Sequence, residues 1–190
     1  MILLLDLLVY KDIKNPYFTH MKKLNFVFLF IVLTSTLSFA QGNLRMGEKQ
    51  FNAGLGFSDY GVPIYAGLDF GVYENITIGP RLSLRNYAYT RSNSSYKQSL
   101  AVLSFNGNYH FNTLLNLPAP WDFYAGLTLG YYFWSDVKTS SGVDYVGKSS
   151  TLGLDAQIGG RYFFSDQFAL NLEFGGGTAA GGSFGITYKF

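Results

Sequence analysis

The feature that most constrains the fold of this chain is a two-residue alternation between apolar residues and polar residues or glycine. It recurs in eight segments after residue 50, namely 51–57, 64–72, 76–84, 101–111, 123–133, 152–162, 168–174 and 184–190. Successive side chains of a β-strand point to opposite faces, so each segment is predicted to form a strand with one apolar face. No stretch after Ala40 has 18 consecutive apolar residues, so the pattern does not predict a transmembrane helix there.

The two faces of these strands differ in charge. The apolar face carries no charged residue, whereas the alternate positions carry Asp69, Arg81, Arg85, Asp155, Arg161, Glu173 and Lys189. With the residues that flank the alternation, the segments are about 9 to 12 residues long, as a tilted strand needs to cross a bilayer, whereas strands of soluble proteins average about 5 to 6. A soluble sandwich would bury the apolar faces and a membrane barrel would turn them to lipid, and the alternation alone is compatible with either.

Residues 21–40 have the three parts of a secretory signal peptide. Met21, Lys22 and Lys23 form a basic start, 24–33 form an apolar run, and small residues precede the end at Ala40. The run is shorter than the roughly 20 residues of a transmembrane helix. We therefore predict cleavage between Ala40 and Gln41 and a mature domain of residues 41–190, and we interpret residues 1–20 as a gene-start extension.

The charge and cysteine content exclude some functions for the predicted mature domain. From Gln41 onward the chain has ten basic and ten acidic residues, so no basic stripe is left for binding nucleic acid. The chain has no cysteine, which excludes disulfides and thiolate metal sites.

Aromatic residues sort to the two ends of the apolar face. If both termini lie on the periplasmic side, that side carries Phe51, Phe70, Tyr109, Phe111, Trp121, Phe123, Tyr162, Phe168, Tyr188 and Phe190. The other side carries Phe57, Tyr131, Phe133, Phe174 and Phe184. Membrane barrels carry two such girdles at the level of the lipid headgroups, whereas a soluble sandwich has no reason to sort its aromatic residues. The fold predicted is all-β: a closed antiparallel eight-stranded up-and-down transmembrane β-barrel.

The connections between the segments fit this orientation with exceptions. Short periplasmic turns are predicted at 73–75 and 164–167, and long outer loops at 87–98 and 135–150. The long connection 112–120 and the short connection 58–62 depart from this rule. Pro80 cannot donate to a sheet ladder, which predicts a bulge or a distorted rung at that position.

The last eight residues resemble the C-terminal β-signal of outer-membrane proteins. That signal has a polar residue, a glycine two positions later, and aromatic residues in the third-last and last places; Gly185, Tyr188 and Phe190 match it. The resemblance implies the barrel assembly machinery and periplasmic chaperones as partners during biogenesis. Eight strands across nearly the whole mature domain are similar to the OmpA/OmpX-like barrel family, which implies a bacterial outer membrane with its lipid and lipopolysaccharide as surroundings.

An eight-stranded barrel has an interior just wide enough for side chains to fill. Large rings such as Tyr65 and Tyr124 alternate with glycines on the predicted inward face, and four basic residues there face three acidic ones. Because buried charges need partners, we predict an interior ion-pair network of Asp69, Arg81, Arg85, Asp155, Arg161, Glu173 and Lys189. A gated or ligand-binding channel is the alternative use of these residues.

The sequence predicts no enzyme, no cofactor and no metal site. His110 is the one histidine after Ala40, and Ser104, the nearest serine on the same face of its strand, lies six residues away, about 20 Å. A serine from a neighbouring strand has no support in the sequence. We interpret His110 as an interior or rim residue, and a lipid-modifying enzyme remains the second alternative.

The outer loops are the remaining candidates for binding. Their mixture of aromatic and polar residues is typical of recognition surfaces, and the candidate contacts to an unknown extracellular ligand are Tyr87, Tyr89, Arg91, Tyr96 and Tyr145. The sequence therefore predicts a non-enzymatic barrel that serves envelope structure or surface interaction. A narrow channel, or a binder of small or hydrophobic molecules, is the first alternative.

Overall fold

The chain forms a closed antiparallel barrel. The computed structural model describes residues 44–59, 61–91, 94–139, 147–179 and 181–190. The four-residue helix α1 (Asn112–Leu115) joins two of the strands. The strands are β1 (Lys49–Ser58), β2 (Ile64–Tyr73), β3 (Ile76–Arg91), β4 (Ser94–His110), β5 (Trp121–Trp134), β6 (Lys138–Thr139), β7 (Thr151–Phe163), β8 (Phe168–Gly177) and β9 (Gly181–Lys189).

Eight of these strands make a continuous ring. Each pairs with the next barrel strand along the chain, and β1 pairs with β9 from Gln50 opposite Lys189 to Ser58 opposite Gly181. The short strand β6 lies outside the ring, paired with Tyr96 and Lys97 of β4. The predicted up-and-down barrel of eight strands is confirmed. Among the residues that the structure describes, no helix has both the length and the apolar content to span a membrane.

The apolar residues of the alternation face outwards. Leu103, Leu129 and Ile158 are more than half exposed, whereas the intervening side chains of His110 and Tyr132 are 0 % and 1 % exposed. A sandwich would have hidden the first set in a dry core. The outer surface is therefore an apolar belt, which is stable in hydrocarbon and not in water.

The two ends of the barrel differ in their connections, and aromatic rings surround both. We call the end where β1 begins and β9 finishes the terminal end, and the opposite one the loop end. Ring contacts at the terminal end join Trp121 to Tyr162 (4.8 Å between centroids) and Phe168 to Tyr188 (4.9 Å). At the loop end Tyr131 contacts Phe133 at 4.7 Å. These contacts follow the predicted sorting of the aromatic residues.

The turns at the terminal end match the prediction, and so does the irregularity at Pro80. Two residues separate β2 from β3, and Asn75 has the left-handed φ of 61° that such a tight turn requires. The β2–β3 register skips from Gly67 opposite Arg81 to Phe70 opposite Ile78, so the rung at Pro80 is missing on this side. On the β4 side Pro80 stays in register with Phe105.

The predicted outer loop at 87–98 is wrong, because β3 and β4 continue as one hairpin. Their pairing extends to Arg91 opposite Ser94, whereas β2 accompanies β3 only to Leu84 and β5 accompanies β4 only from Leu100. Residues 85–91 and 94–99 therefore project beyond the adjoining strands, and we call them the projecting hairpin. A hairpin that projects into water needs no apolar outer face, so the alternation that marks the other strands fades here while pairing continues.

Candidate functional site

The most buried charges of the barrel lie near the terminal end, around Arg161. Its Nη2 donates to Oδ2 of Asp69 at 2.8 Å and its Nη1 donates to Oδ2 of Asp122 at 3.0 Å, and all three side chains are at most 4 % exposed. Asp69 also accepts hydrogen bonds from the amides of Gln50, Asn52 and Asn106. One guanidinium cation thus pairs with two carboxylates from different strands. Such pairing stabilises buried charges in a low-dielectric interior.

His110 joins the same group from β4. Its Nδ1 lies 2.6 Å from Oδ1 of Asp122 and its Nε2 lies 2.9 Å from Oγ1 of Thr77 on β3. The relative exposures of Thr77, His110 and Asp122 are 0 %, 0 % and 1 %. A hydroxyl, an imidazole and a carboxylate in sequence have the connectivity of a nucleophile triad, but this hydroxyl does not reach any surface that a substrate contacts. We call Asp69, Thr77, His110, Asp122 and Arg161 the Arg161 cluster.

A second ion pair crosses the lumen nearer the middle of the barrel. Arg81 of β3 pairs with Glu173 of β8, and its guanidinium lies 4.1 Å from the centroid of the Tyr65 ring. The hydroxyl of Tyr124 donates to Glu173 at 3.0 Å, and Arg161 lies 4.3 Å from the centroid of the same ring. Aromatic rings and guanidinium groups therefore pack against each other across the lumen, between the two levels of ion pairs.

Gly159 makes room for this packing. A Cβ atom at this position would lie 2.3 Å from Cζ of Tyr124, so no larger residue fits under the ring without displacing it. The alternation of glycine with large rings on the inward face thus has a steric cause: the barrel is too narrow for two large side chains at one level.

Cavities lie on both sides of the Arg81–Glu173 pair in the described part of the lumen. The inner cavity, of about 20 Å³, is lined by Asp69, Asn106 and Tyr124 among others. The outer cavity, of about 110 Å³, lies towards the loop end and is lined by Ser58, Ser83, Arg85, Tyr132 and Asp155 among others. Arg81, Tyr65 and Glu173 line both cavities and therefore form the partition between them.

The seven charges predicted to form the interior network have different partners. Asp69, Arg161, Arg81 and Glu173 lie in the ion pairs above. Asp155 accepts from the Tyr132 hydroxyl and from the Ala179 N–H, and Arg85 donates to Oγ of Ser58 at 3.0 Å. Lys189 pairs at 3.0 Å with Glu48, which precedes β1.

Sequence reasoning missed Asp122, Glu48 and the partners of His110. Asp122 lies between Trp121 and Phe123, so the alternation placed it on the inward face, but the aromatic neighbours drew attention to the outer one. The sequence offers Ser104 as the nearest serine on the strand of His110, whereas the register between β3 and β4 places Thr77 beside the imidazole.

Glu48 has an altered acidity at the terminal end. Burial raises the pKa of its carboxyl, but the backbone N–H of Arg45 and the Lys189 ammonium together lower it further, so the pKa lies below its ordinary value. The side chain is 31 % exposed, so this pair is only partly shielded from solvent.

The other predicted residues lie in β9, in the projecting hairpin or outside the described residues. Tyr188 contacts the rings of Phe168 and Phe190, and Gly185 stands opposite Gly54 in the β1–β9 pairing. Tyr96 is predicted to contact an extracellular ligand, but its side chain is buried, with 7 % of its surface exposed. Tyr87 is half-buried. The side chains of Tyr89 and Arg91, together with Ala40, Gln41 and Tyr145, lie outside the described residues.

Several solved structures of outer-membrane proteins have the same architecture. The outer membrane protein OprG of Pseudomonas aeruginosa matches with a TM-score of 0.62 and 12 % identity, over 80 % of this chain and 99 % of that one. The N-terminal barrel domain of OprF from the same organism matches with a TM-score of 0.56 and 13 % identity, over 79 % and 100 %. Neisserial surface protein A matches with a TM-score of 0.50 and 13 % identity, over 75 % and 95 %. No protein-family model and no curated protein matches the chain.

Identities this low bear on the fold alone, and the fold agrees with the surface of the barrel. A ring of eight antiparallel strands has an apolar belt outside, aromatic rings at both ends and charges inside. The chain therefore has the fold of the small eight-stranded outer-membrane β-barrels.

Proposed function

We propose that this protein is a non-enzymatic integral β-barrel of a bacterial outer membrane. Its lumen conducts no ions. It serves envelope structure through the barrel itself or surface interaction through its projecting hairpin. The apolar belt supports the location, because only hydrocarbon makes so large an exposed apolar surface stable. The fold similarity to OprG and OprF supports the same location.

The proposal rests on one observation: charged side chains close the lumen at two levels. The Arg161 cluster fills the terminal end and the Arg81–Glu173 pair crosses the middle. The inner cavity between them, about 20 Å³, holds one or two water molecules at about 10 to 15 Å³ each. A hydrated ion would have to break both ion-pair levels to cross.

Planar-bilayer recording tests the closed lumen. We expect no stable conductance steps from the refolded protein, and a gel shift between boiled and unboiled samples of the same preparation would show that the inserted protein was folded. Reproducible unitary steps from the folded sample would favour the narrow-channel alternative. The variant Arg81→Gln, which removes the middle pair and leaves the Arg161 cluster intact, should also be silent.

The projecting hairpin supports an outward-facing role for the loop end. It is braced, because Nε2 of Gln98 donates at 2.9 Å to the backbone oxygens of Ser135 and Lys148. Oγ of Ser99 donates to Oδ1 of Asn86 across the two strands at 2.8 Å, and Lys97 is exposed. A rigid strand pair that extends from the membrane suits contact with a partner or with the lipopolysaccharide layer.

Cysteine labelling on intact cells tests this orientation, since the chain has no cysteine of its own. Lys97→Cys places a thiol at the loop end and Lys49→Cys places one at the terminal end, and both positions are exposed. A membrane-impermeant maleimide should label the first variant on intact cells and the second only after lysis. The reverse labelling would contradict the proposed orientation, and equal labelling of both would contradict a membrane-spanning barrel.

A further inference from the structure

Arg85 differs from the other deep arginines of the lumen in its partners. Arg81 and Arg161 each pair with at least one carboxylate, whereas no carboxylate oxygen of a described residue lies within 4 Å of Arg85. Its Nη1 donates a hydrogen bond to Oγ of Ser58. Its Nε is buried and has no acceptor among the described residues. A guanidinium N–H buried in this state is unfavourable until an acceptor reaches it.

The outer cavity adjoins this guanidinium. Ser83 lines the cavity from the same face of β3, two residues before Arg85, and Ser58 lines it from β1. The cavity is also lined by Asp155, whose two oxygens accept hydrogen bonds from the Tyr132 hydroxyl and the Ala179 N–H. The charge of Arg81 is taken up by Glu173. The hydroxyl of Ser58 donates to the backbone oxygen of Gly61 at 3.0 Å. The Nε of Arg85 is therefore the buried donor at this cavity that has no acceptor among the described residues.

We propose that the outer cavity binds a small oxyanion of the phosphate or carboxylate class on the guanidinium of Arg85, with the hydroxyl of Ser83 beside it. A guanidinium presents its donors as a planar fork that matches two oxygens of such a group. The volume of about 110 Å³ has room for an ion of this size with some of its water. The partition at Arg81 stops the ion there, so the site is a binding pocket and not a step of conduction.

Titration of the refolded full-length protein with inorganic phosphate, and separately with acetate, tests the site by calorimetry in a detergent without phosphate groups. We expect saturable binding of at least one of them by the wild type. Arg85→Gln should weaken it at least tenfold. Lys97→Gln removes the same charge from the exposed face of the hairpin and should leave it unchanged. Arg85→Lys keeps the charge without the fork and should fall between the two.

A second titration, with a short-chain phosphatidic acid, distinguishes a soluble anion from a lipid phosphate as the source of the oxyanion. If a free ion binds and Arg85→Gln weakens that binding, the site is assigned to soluble anions. Binding of the phosphatidic acid alone, again weakened in Arg85→Gln, assigns it to a lipid phosphate. The proposal is overturned if no probe binds saturably, or if Lys97→Gln reduces binding as much as Arg85→Gln does. A gel shift on each variant confirms folding, and Ser83→Ala, with a smaller loss expected, replaces Arg85→Gln if that variant does not fold.

Discussion

Arg161 connects strands that are far apart in the sequence. It stands directly opposite Asp122 in the β5–β7 register and reaches across the lumen to Asp69 of β2. Both carboxylates are buried, and this guanidinium pairs with both of them. A single residue thus braces the barrel across its width.

Replacing Arg161 with glutamine should destabilise the protein strongly. Two buried carboxylates would lose their countercharge, and breaking a buried pair in this way costs about 3 to 5 kcal/mol. The measurement is urea unfolding in lipid vesicles, followed by tryptophan fluorescence. Lys97→Gln is the control for charge and should change the free energy of unfolding by less than about 0.5 kcal/mol. Equal unfolding midpoints for the two variants would refute the bracing role.

Gly159→Ala should also be destabilising, for a steric reason. The new Cβ would overlap the ring of Tyr124, and overpacking of this kind costs about 1 to 3 kcal/mol. Gly176→Ala is the matched control, because a Cβ atom added there would meet no described atom within 4 Å. The same unfolding assay should separate the two variants, and a loss in Gly176→Ala as large as in Gly159→Ala would point to backbone effects instead.

The Glu48–Lys189 pair should give a small stability term that depends on pH. Because the pKa of Glu48 is lowered by folding, the term is fully present above the ordinary value of 4.5 and is lost as the pH falls through the folded pKa. Wild type should exceed Glu48→Gln in stability by at most about 1 kcal/mol at neutral pH, since the pair is partly exposed. The difference should vanish in acid, and a difference that grows on acidification would contradict this assignment.

At the scale of elements, the sequence predicts a strand wherever the membrane imposes a pattern. The centres of all eight barrel strands follow from the alternation, because one face of each meets lipid and the other meets the lumen. The sequence shows the end of a strand less clearly where the strand leaves the membrane. Tyr87 and Gln98 pair in register, although the outer face of their strands is no longer apolar at this level. The sequence therefore predicts a loop where the structure has a hairpin.

The interior partners could be predicted only in part, for a different reason. The inward positions of Asp69 and Arg161 follow from their own strands, but the pairing between them depends on which strands face each other across the lumen. His110 and Thr77 meet through the register of β3 and β4, which no local pattern specifies. The sequence therefore predicts which charged residues face the lumen, but not which residues they pair with.

The terminal strand β9 should matter more for assembly than the hairpin does. Phe190 is 64 % exposed beside the ring of Tyr188, so Phe190→Ala removes no buried packing and tests recognition of the proposed C-terminal signal. We expect Phe190→Ala to reduce the yield of folded protein in the membrane several-fold. Shortening the hairpin at its tip, around Ser94, should leave the yield nearly unchanged. The two yields are compared by immunoblot of membrane fractions without boiling, and equal yields would count against the signal.

At the scale of the whole molecule, the usual arrangement of a soluble protein is inverted. Leucine, isoleucine and phenylalanine side chains cover the outside, and hydrogen bonds among amides, hydroxyls and ion pairs hold the inside. The chain Tyr65–Asn171–Thr187–Asn52, for example, links β2, β8, β9 and β1 through hydrogen bonds of 2.7 to 3.0 Å. Because lipid offers no hydrophobic drive for burying that apolar outer surface inside, the polar lumen and the closed ladder specify the fold.

The pairing of β1 with β9 joins residues about as far apart along the chain as any contact in the barrel. Bringing such distant segments together has a large entropic cost, and contacts of this kind slow folding. Every other ladder can form between neighbouring strands as they become available, but the ring itself cannot close before its final strand has been made. During that interval β1 presents an unpaired edge of N–H and C=O groups, and we propose that a chaperone covers this edge until the ring closes.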